Sequence, residues 1–191
     1  GIYVGFKEGT TKQDYLDYLE KGKLQDIMNF EEVKTGDVYF IKTGLVHAIG
    51  EGVVLAEIQQ SSDITYRVFD WNRKDADGNE RELHTEFALD AIDFEFKDYH
   101  VFPKEQTNVF QTLVSNDYFK TQKLNLKGKL AADYSSTDSF VVLMCVEGEL
   151  EVNDKNSSTD LKKGETLLLP ADTEEIELNG DAAQLLEVTI A

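Results

Sequence analysis

The chain has 191 residues, of which 41% are hydrophobic, and this is enough to bury a sizeable core in one large domain or two small ones. Its net charge of −18, from 37 acidic and 19 basic residues, repels phosphate backbones and argues against nucleic acid as a partner. The longest uninterrupted apolar run, residues 140–146, is far shorter than the ~20 residues of a membrane-spanning helix, and the single Cys145 excludes a disulfide framework. We therefore expect a cytoplasmic protein that binds neither nucleic acid nor membrane.

Three helical segments are predicted in chain order among many strands. Thr11 and Asp14 have the spacing of a capping box, so a helix is expected after Thr11, with Tyr15 on its apolar face. A short helical turn is expected over residues 24–28, and Thr85 is expected to cap another helix. The remaining sequence consists mainly of short runs rich in Val, Ile, Phe and Tyr, broken by Gly, Asn and Asp, which is typical of strands and turns. The sequence thus predicts an all-β protein with short helical insertions.

A glycine-led pattern occurs in both halves of the chain. The two copies have equal spacing and consist of Gly36, Lys42, Gly44 and His47 in the first half and Gly164, Pro170, Asp172 and Glu175 in the second. The pattern resembles the second signature motif of the cupin superfamily, in which a proline, a histidine and a final asparagine recur. Lys42 takes the proline position and Glu51 the asparagine position. The first copy keeps the histidine, and the second has lost it.

The second half also matches the glycines of the first cupin motif, while its ligand positions hold poor metal ligands. The matching residues are Gly128, Tyr134, Ser136, Val141 and Gly148. Cupins are double-sheet jelly rolls, so the resemblance implies two cupin-type jelly-roll barrels with short helical insertions. We place the boundary near residue 97, within the charged segment 95–104. Residues 1–97 then belong to the first barrel, and residues 98–191 form a degenerate, metal-free cupin domain.

The segment GVVLAEIQQSSDITYRVFDW predicts a hairpin with its turn at Ser61, Ser62 and Asp63. In that register Glu57 lies opposite Arg67, and both project to the same face of the sheet. An ion pair that faces a barrel interior is costly unless it is fully hydrogen-bonded or used in function. The alternative is an ordinary cross-strand ion pair on a solvated face.

Three segments together resemble the type I mannose-6-phosphate isomerases, in their shorter bacterial form. These are GDVYFIKTGLVHAIGEG, LAEIQQSSDITYRVFDWNR and DGNERELHTEFALDAIDF. The resemblance implies a zinc-dependent aldose–ketose isomerase that interconverts mannose 6-phosphate and fructose 6-phosphate, with residues 1–97 as the C-terminal part of its catalytic cupin domain. It also implies that His47 is a zinc ligand and that Glu57 and Arg67 are active-site residues. The other zinc ligands of the family, a Gln-x-His pair and a glutamate, have no counterpart here, so we expect this chain alone to bind zinc weakly or not at all.

The implied reaction moves a proton between two carbons through an enediol, and it needs a base and a group that stabilises negative charge. Arg67 could face either the enediolate or the substrate phosphate. Glu57 could be the base or could orient Arg67, and we favour orientation. Lys42 is a weaker candidate for a phosphate contact.

Two further histidines and a rival function complete the interpretation. We expect His84 to be a polar core or capping residue, His100 to be solvated in the linker, and Cys145 to be a small buried hydrophobe.

The alternative function is a non-catalytic sugar-binding or regulatory cupin. The expected partner is a sugar-phosphate substrate, and the sequence leaves the oligomeric state open.

Overall fold

The computed structural model describes residues 1–62, 64–71 and 73–191. The chain forms two compact units, Gly1–His100 and Val101–Ala191, and the predicted boundary near residue 97 lies close to this division. The elements of the first unit are β1 (Ile2–Phe6), α1 (Lys12–Glu20), a 3₁₀ helix (Leu24–Ile27), β2 (Met28–Glu31), β3 (Val38–Tyr39), β4 (His47–Ile49), α2 (Thr85–Ala91) and, at its end, β5 (His100–Val101). None of the helices in the described part of the chain is long and apolar enough to cross a membrane.

Helix α1 begins where the sequence predicts it. The Thr11 backbone N–H donates to Asp14 Oδ2 at 2.9 Å, and the Asp14 N–H donates to Thr11 Oγ1 at 3.2 Å. These two bonds form the capping box, and the hydrogen bonds from Thr11 lower the pKa of the Asp14 carboxyl. Tyr15 on the inner face is fully buried, so the local sequence signal and the packing agree.

Helix α2 begins one residue away from the expected cap. His84 occupies the N-cap position, and Thr85 is the first helical residue. The His84 side chain makes no capping hydrogen bond to the helix. The prediction that Thr85 caps this helix was therefore wrong by one residue. The His84 ring accepts a hydrogen bond from the Arg67 N–H instead of capping the helix, as described below for the candidate site.

The first unit contains two small sheets. Strands β2, β1 and β4 form an antiparallel sheet with β1 in the middle, and β3 pairs with β5. Phe6 of β1 stacks on Phe94 with the ring centroids 5.2 Å apart, and Tyr15 packs edge-on against both rings. This aromatic group is the centre of the apolar cluster below the sheet.

The predicted hairpin is absent, since no strand occurs in the described residues 53–62 and 64–70. Asp63, placed at its turn, lies outside the described residues. Val54 and Ile64 remain 99% and 67% exposed, so their apolar side chains gain no burial from pairing. Strand preference reflects a side chain that fits a half-buried pleated surface, and here that surface is missing among the described residues. The jelly-roll barrel predicted for residues 1–97 is likewise not confirmed.

The second unit is a single seven-stranded antiparallel sheet system, again with no closed barrel detected in the part of the chain that is described. Its strands are β6 (Gln111–Ser115), β7 (Phe119–Asp133), β8 (Val141–Glu147), β9 (Glu149–Asn153), β10 (Ser158–Lys162), β11 (Thr166–Leu169) and β12 (Glu175–Ile190). The long strand β12 pairs with β7 along its length. On its other side it pairs with β9 near its start and with β8 near its end. One strand therefore joins both halves of the sheet system.

The core of the second unit lies on the inner face shared by β7, β8 and β12. In one row Leu124, Cys145 and Leu185 are paired in register, and Leu143 lies in the next row. All four side chains are buried, and Cys145 is the small buried hydrophobe expected from the sequence. Burial raises the pKa of the Cys145 thiol, which keeps it protonated and unreactive.

This packing predicts different costs for two leucine truncations in the second unit. Leu143 is fully buried and Leu168 is 57% exposed. Leu143→Ala should lower the free energy of unfolding by about 2–5 kcal/mol because it removes buried surface and leaves a cavity. Leu168→Ala, the matched control, should change it by no more than about 0.5 kcal/mol. Urea denaturation followed by far-UV circular dichroism measures both, and equal losses would contradict this description of the core.

Candidate functional site

His47 is the first residue of the edge strand β4, where it pairs in register with Val4 of β1. His47 and Ile49 are exposed in this strand, whereas Leu45 and Val46 just before it are buried. The difference arises because β4 has one neighbouring strand in the sheet order β2-β1-β4. The imidazole therefore lies at the rim of the sheet rather than inside a core.

One hydrogen bond fixes the chemical state of the His47 ring. Its Nδ1 lies 2.9 Å from the carbonyl oxygen of Leu45. Because a carbonyl only accepts hydrogen bonds, the neutral ring carries its proton on Nδ1 and leaves the Nε2 lone pair available. Histidines that bind metals in proteins typically donate their other ring N–H to a carbonyl or carboxylate in this way. His47 is thus prepared to act as a ligand through Nε2.

The described residues do not form a zinc site by themselves. No group of three or more His, Cys, Asp and Glu side chains within residues 1–62, 64–71 and 73–191 is arranged to hold a metal ion. A catalytic zinc site commonly takes three protein ligands and keeps one open position. Among the described residues His47 is therefore a candidate ligand for the metal that the resemblance implies, and these residues do not supply a complete set of donors.

Arg67 is held by backbone contacts to the residues before α2. Its N–H donates to His84 Nδ1 at 3.2 Å, and its carbonyl accepts from the His84 N–H at 2.8 Å. The guanidinium Nη1 is 3.5 Å from the Glu82 carbonyl oxygen. His84 is half-buried and has the structural role expected for it. No sequence pattern predicted this contact, because Arg67 and His84 are 17 positions apart in the chain.

Glu57 makes no ion pair or hydrogen bond with Arg67 among the described residues. It is exposed, and it forms no ion pair or hydrogen bond within the described part of the chain. The predicted cross-strand pair depended on the hairpin, and without that pairing the two side chains have no common register. The correction removes the geometric argument for Glu57 as the group that orients Arg67.

The three arginines of the chain lie near one buried carboxylate, that of Asp70. The sequence did not predict this cluster. Asp70 is 6% exposed. Its Oδ1 accepts hydrogen bonds from two nitrogens of Arg73, from Nε at 3.1 Å and from Nη2. Arg81 Nη1 lies 3.8 Å from the same oxygen. The hydrogen bond from Arg73, followed by the charges of Arg73, Arg81 and Arg67, lowers the pKa of Asp70. The three arginines and one aspartate form a local positive centre in a chain of net charge −18.

Lys42 is exposed in the turn that precedes His47. Its Nζ lies 5.6 Å from the centroid of the Phe40 ring, which is within cation–π distance. A backbone hydrogen bond from Glu95 is the main cause that lowers the pKa of Asp93, and the charge of Lys42 adds to it. Lys42 makes no hydrogen bond or ion pair with His47 among the described residues.

The expectation that His100 is solvated in the linker was wrong. It is half-buried rather than solvated, and its ring stacks on Tyr39 with centroids 5.0 Å apart and planes 10° apart. Its Nε2 lies 3.5 Å from Asp37 Oδ1. The pairing of β3 with β5 brings these residues together, although more than half of the first unit separates them in sequence. His100 therefore belongs to the packing of the first unit.

Helix α2 joins the segments that carry His47 and Arg67. At its start, His84 is paired with Arg67 through two hydrogen bonds. Just after its end, the Asp93 N–H donates to the Gly44 carbonyl at 2.9 Å. A seven-residue helix is roughly 10 Å long, so it holds the two segments at a fixed separation of that order. No hydrogen bond within the described residues joins His47, Arg67, Glu57 and Lys42 directly.

Gly44 is required for this close approach. Its φ is +88°, and a Cβ at this position would lie 2.5 Å from the Ala91 carbonyl oxygen. Gly52 has a φ of +79° with nothing within 4 Å of the corresponding Cβ. A residue with a side chain would therefore have a strained backbone at either position. Only at position 44 would its Cβ also clash with the backbone of α2.

We predict that Gly44→Ala destabilises the first unit more than Gly52→Ala does. The control should cost about 1–2 kcal/mol of unfolding free energy for the left-handed backbone alone. Gly44→Ala should cost more, because the 44–47 turn must move away from α2. The fluorescence of Trp71, the single tryptophan, reports unfolding of this unit in urea. Equal losses in the two variants would show that the turn is not held against the helix.

Comparison with known proteins identifies relatives over most of the chain. Residues 110–189 match the family described as "Mannose-6-phosphate isomerase, cupin domain". Mannose-6-phosphate isomerase ManA of Bacillus subtilis is 35% identical over 176 residues, which are 91% of this chain and 55% of ManA. Mannose-6-phosphate isomerase of Streptococcus mutans is 30% identical over 91% of this chain and 55% of its own length. The chain thus spans about half the length of the curated relatives that it matches.

Solved structures give the same result for the fold. The mannose 6-phosphate isomerase from Bacillus subtilis superposes with a TM-score of 0.85 at 27% identity, over 99% of this chain and 60% of that chain. A putative mannosephosphate isomerase from Archaeoglobus fulgidus has a TM-score of 0.68 at 17% identity, over 99% of this chain and 57% of that chain, which shows a shared fold. The mostly β architecture is therefore a cupin fold. The chain is thus similar over most of its length to mannose-6-phosphate isomerases, and residues 110–189 match the cupin domain of that family.

Proposed function

We propose that this chain carries part of the active site of a zinc-dependent mannose-6-phosphate isomerase, which interconverts mannose 6-phosphate and fructose 6-phosphate. The observation that carries the proposal is the His47 ring, whose Nδ1 is held by the Leu45 carbonyl and whose Nε2 is left available as a ligand. Relatives that are named as this enzyme support it over most of the chain. The substrate is a sugar phosphate, and the protein is expected in the cytoplasm.

His47 supplies one zinc ligand in this proposal. The other ligands are proposed to come from outside the described residues, because those residues contain no group of three or more His, Cys, Asp and Glu side chains arranged to hold a metal. We expect the 191-residue chain by itself to bind zinc weakly or not at all, since a single imidazole does not hold the ion. This also agrees with the chain covering about 55% of the length of its curated relatives.

Arg67 is proposed to stabilise negative charge on the substrate. The Glu82 carbonyl and the backbone pairing with His84 position it, and its positive charge helps to lower the pKa of the nearby Asp70. An anionic sugar phosphate approaching a chain of net charge −18 needs such a local positive centre. The guanidinium fork then contacts either the enediolate or the phosphate.

Glu57 and Lys42 remain proposed site residues with weaker support. Glu57 is exposed and unpaired within the described residues, so the role of base suits it better than the orientation of Arg67. Lys42 is exposed beside the His47 turn and could bind the phosphate as a point charge. The non-catalytic sugar-binding cupin is the alternative, and it is not favoured, because the curated relatives are named isomerases.

A fusion experiment tests the proposed function. The portion of Bacillus subtilis ManA that this chain does not match is joined to the 191-residue chain, and isomerisation of mannose 6-phosphate is measured with zinc present. We expect the fusion to be active and His47→Ala to abolish the activity, because a ligand is lost. His100→Ala is the matched control in the same unit and should stay active, since His100 packs on Tyr39. A folded His47→Ala fusion with full activity would contradict the proposal.

Steady-state kinetics of the same fusion protein distinguish the two proposed roles of Arg67, stabilising the enediolate and binding the phosphate. Arg67→Lys keeps the charge but loses the planar fork, so it should lower kcat by about 10²–10³ if Arg67 stabilises charge that develops during proton transfer. Arg81→Lys, whose guanidinium contacts Asp70 only at 3.8 Å, is the control and should change kcat little. If the loss appears mainly in KM, Arg67 binds the phosphate. Unchanged kcat and KM would leave Arg67 as a structural residue.

A further inference from the structure

The second unit contains a polar cleft that the proposed isomerase site does not use. Its volume is about 320 Å³, at the lower end of the range for small-molecule sites. The cleft is lined by residues of β7 and β12, by Phe110 just before β6 and by the segment that follows β7. The residues relevant here are Phe110, Lys120, Gln122, Tyr134, Glu187 and Thr189.

Glu187 is the unusual residue of this cleft. It is 4% exposed, and it pairs in register with Gln122 on β7 and with Leu143 on β8. Two positions earlier on the same face of β12, Leu185 is part of the apolar core. A purely structural interior favours another apolar side chain here, since burial of a carboxylate costs several kcal/mol unless it is hydrogen-bonded.

Only part of the hydrogen-bonding capacity of Glu187 is used by the protein. The Tyr134 hydroxyl, on a residue that is 7% exposed, donates to Glu187 Oε2 at 2.5 Å. No second hydrogen bond reaches this carboxylate from the described residues, although an ionised carboxylate can accept about four. A nine-tenths buried acceptor that faces a cleft and keeps a free oxygen is suited to a ligand that donates hydrogen bonds.

The charges around Glu187 favour a neutral ligand. Burial raises the pKa of the Glu187 carboxyl, while the hydrogen bond from Tyr134 and the charge of Lys120 lower it by less. Burial likewise raises the pKa of Tyr134, so its hydroxyl remains a donor. Asp133 also lines the cleft, and the two carboxylates outnumber the single ammonium of Lys120. A phosphate group would meet net repulsion here, whereas hydroxyl groups would not.

We propose that this cleft binds a neutral polyhydroxylated molecule of monosaccharide size. Sugar hydroxyls donate to the free oxygen of Glu187, and Gln122, Thr189 and Lys120 supply complementary donors and acceptors along the wall. The Phe110 ring offers an apolar surface to the C–H face of a sugar ring. The proposal concerns the second unit and does not rest on isomerase activity. The competing interpretation is that the Tyr134–Glu187 bond only ties the segment after β7 to β12.

Protein NMR of the 191-residue chain distinguishes these interpretations. The chain is titrated with D-mannose, D-glucose and mannose 6-phosphate, and backbone amide shifts are followed. We expect saturable shifts with a neutral sugar at Lys120, Gln122 and Thr189, and none in residues 1–62. Absence of saturable shifts, shifts confined to residues 1–62, or binding of mannose 6-phosphate without either neutral sugar would overturn the proposal.

Matched variants identify the residue responsible. Glu187→Gln keeps the size and an acceptor for Tyr134, and it should weaken binding about tenfold because charge-assisted hydrogen bonds are roughly twice as strong as neutral ones. Glu149→Gln removes the same charge from an exposed position of the second unit and should leave affinity unchanged. If the amide spectrum shows that Glu187→Gln is unfolded, Gln122→Leu takes its place with the same expected loss. Wild-type affinity in a folded Glu187→Gln or Gln122→Leu protein would leave only the structural role.

Discussion

The short helix α2 is the constraint on which the candidate site of the first unit depends. It is tied at one end to Arg67 through His84 and at the other to Gly44 through Asp93. Because a helix has a fixed rise per residue, these ties set the separation of two segments that no direct contact joins within the described residues. Backbone hydrogen bonds thus position both segments, and Nε2 of the exposed His47 ring is left available for another group.

The orientation of His47 follows from the two buried residues before it. Leu45 packs in the cluster with Ile2 and Val4, while Val46 packs in the cluster that contains Phe6 and Tyr15. Successive side chains in an extended segment point to opposite faces, so both anchors are buried and the backbone between them is fixed. The Leu45 carbonyl can then hold the His47 ring in one tautomer. Packing on two faces of a small sheet thereby controls which ring nitrogen is available for chemistry.

Features with local causes were predictable from the sequence, and features set by distant contacts were not. The capping box of Thr11 and Asp14 was correct, because both partners lie within one helical turn. The cupin character of the second half was visible in its glycine spacing and is supported by the family match over residues 110–189. The hairpin around Glu57 failed, since alternating apolar residues form strands only where a neighbouring surface buries them. The arginine group at Asp70 and the stacking of His100 on Tyr39 depend on tertiary pairing that no spacing encodes.

The tautomer of His47 is the most direct test of the claim that this chain presents a metal ligand. Long-range proton–nitrogen NMR of the histidine rings, recorded on the 191-residue chain at a pH of about 8 where an unperturbed histidine is neutral, shows which nitrogen carries the proton. The structure predicts that His47 is protonated on Nδ1 and unprotonated on Nε2. A His47 ring protonated mainly on Nε2 would contradict the account, because its ligand lone pair would then be occupied and the Leu45 carbonyl would have no donor.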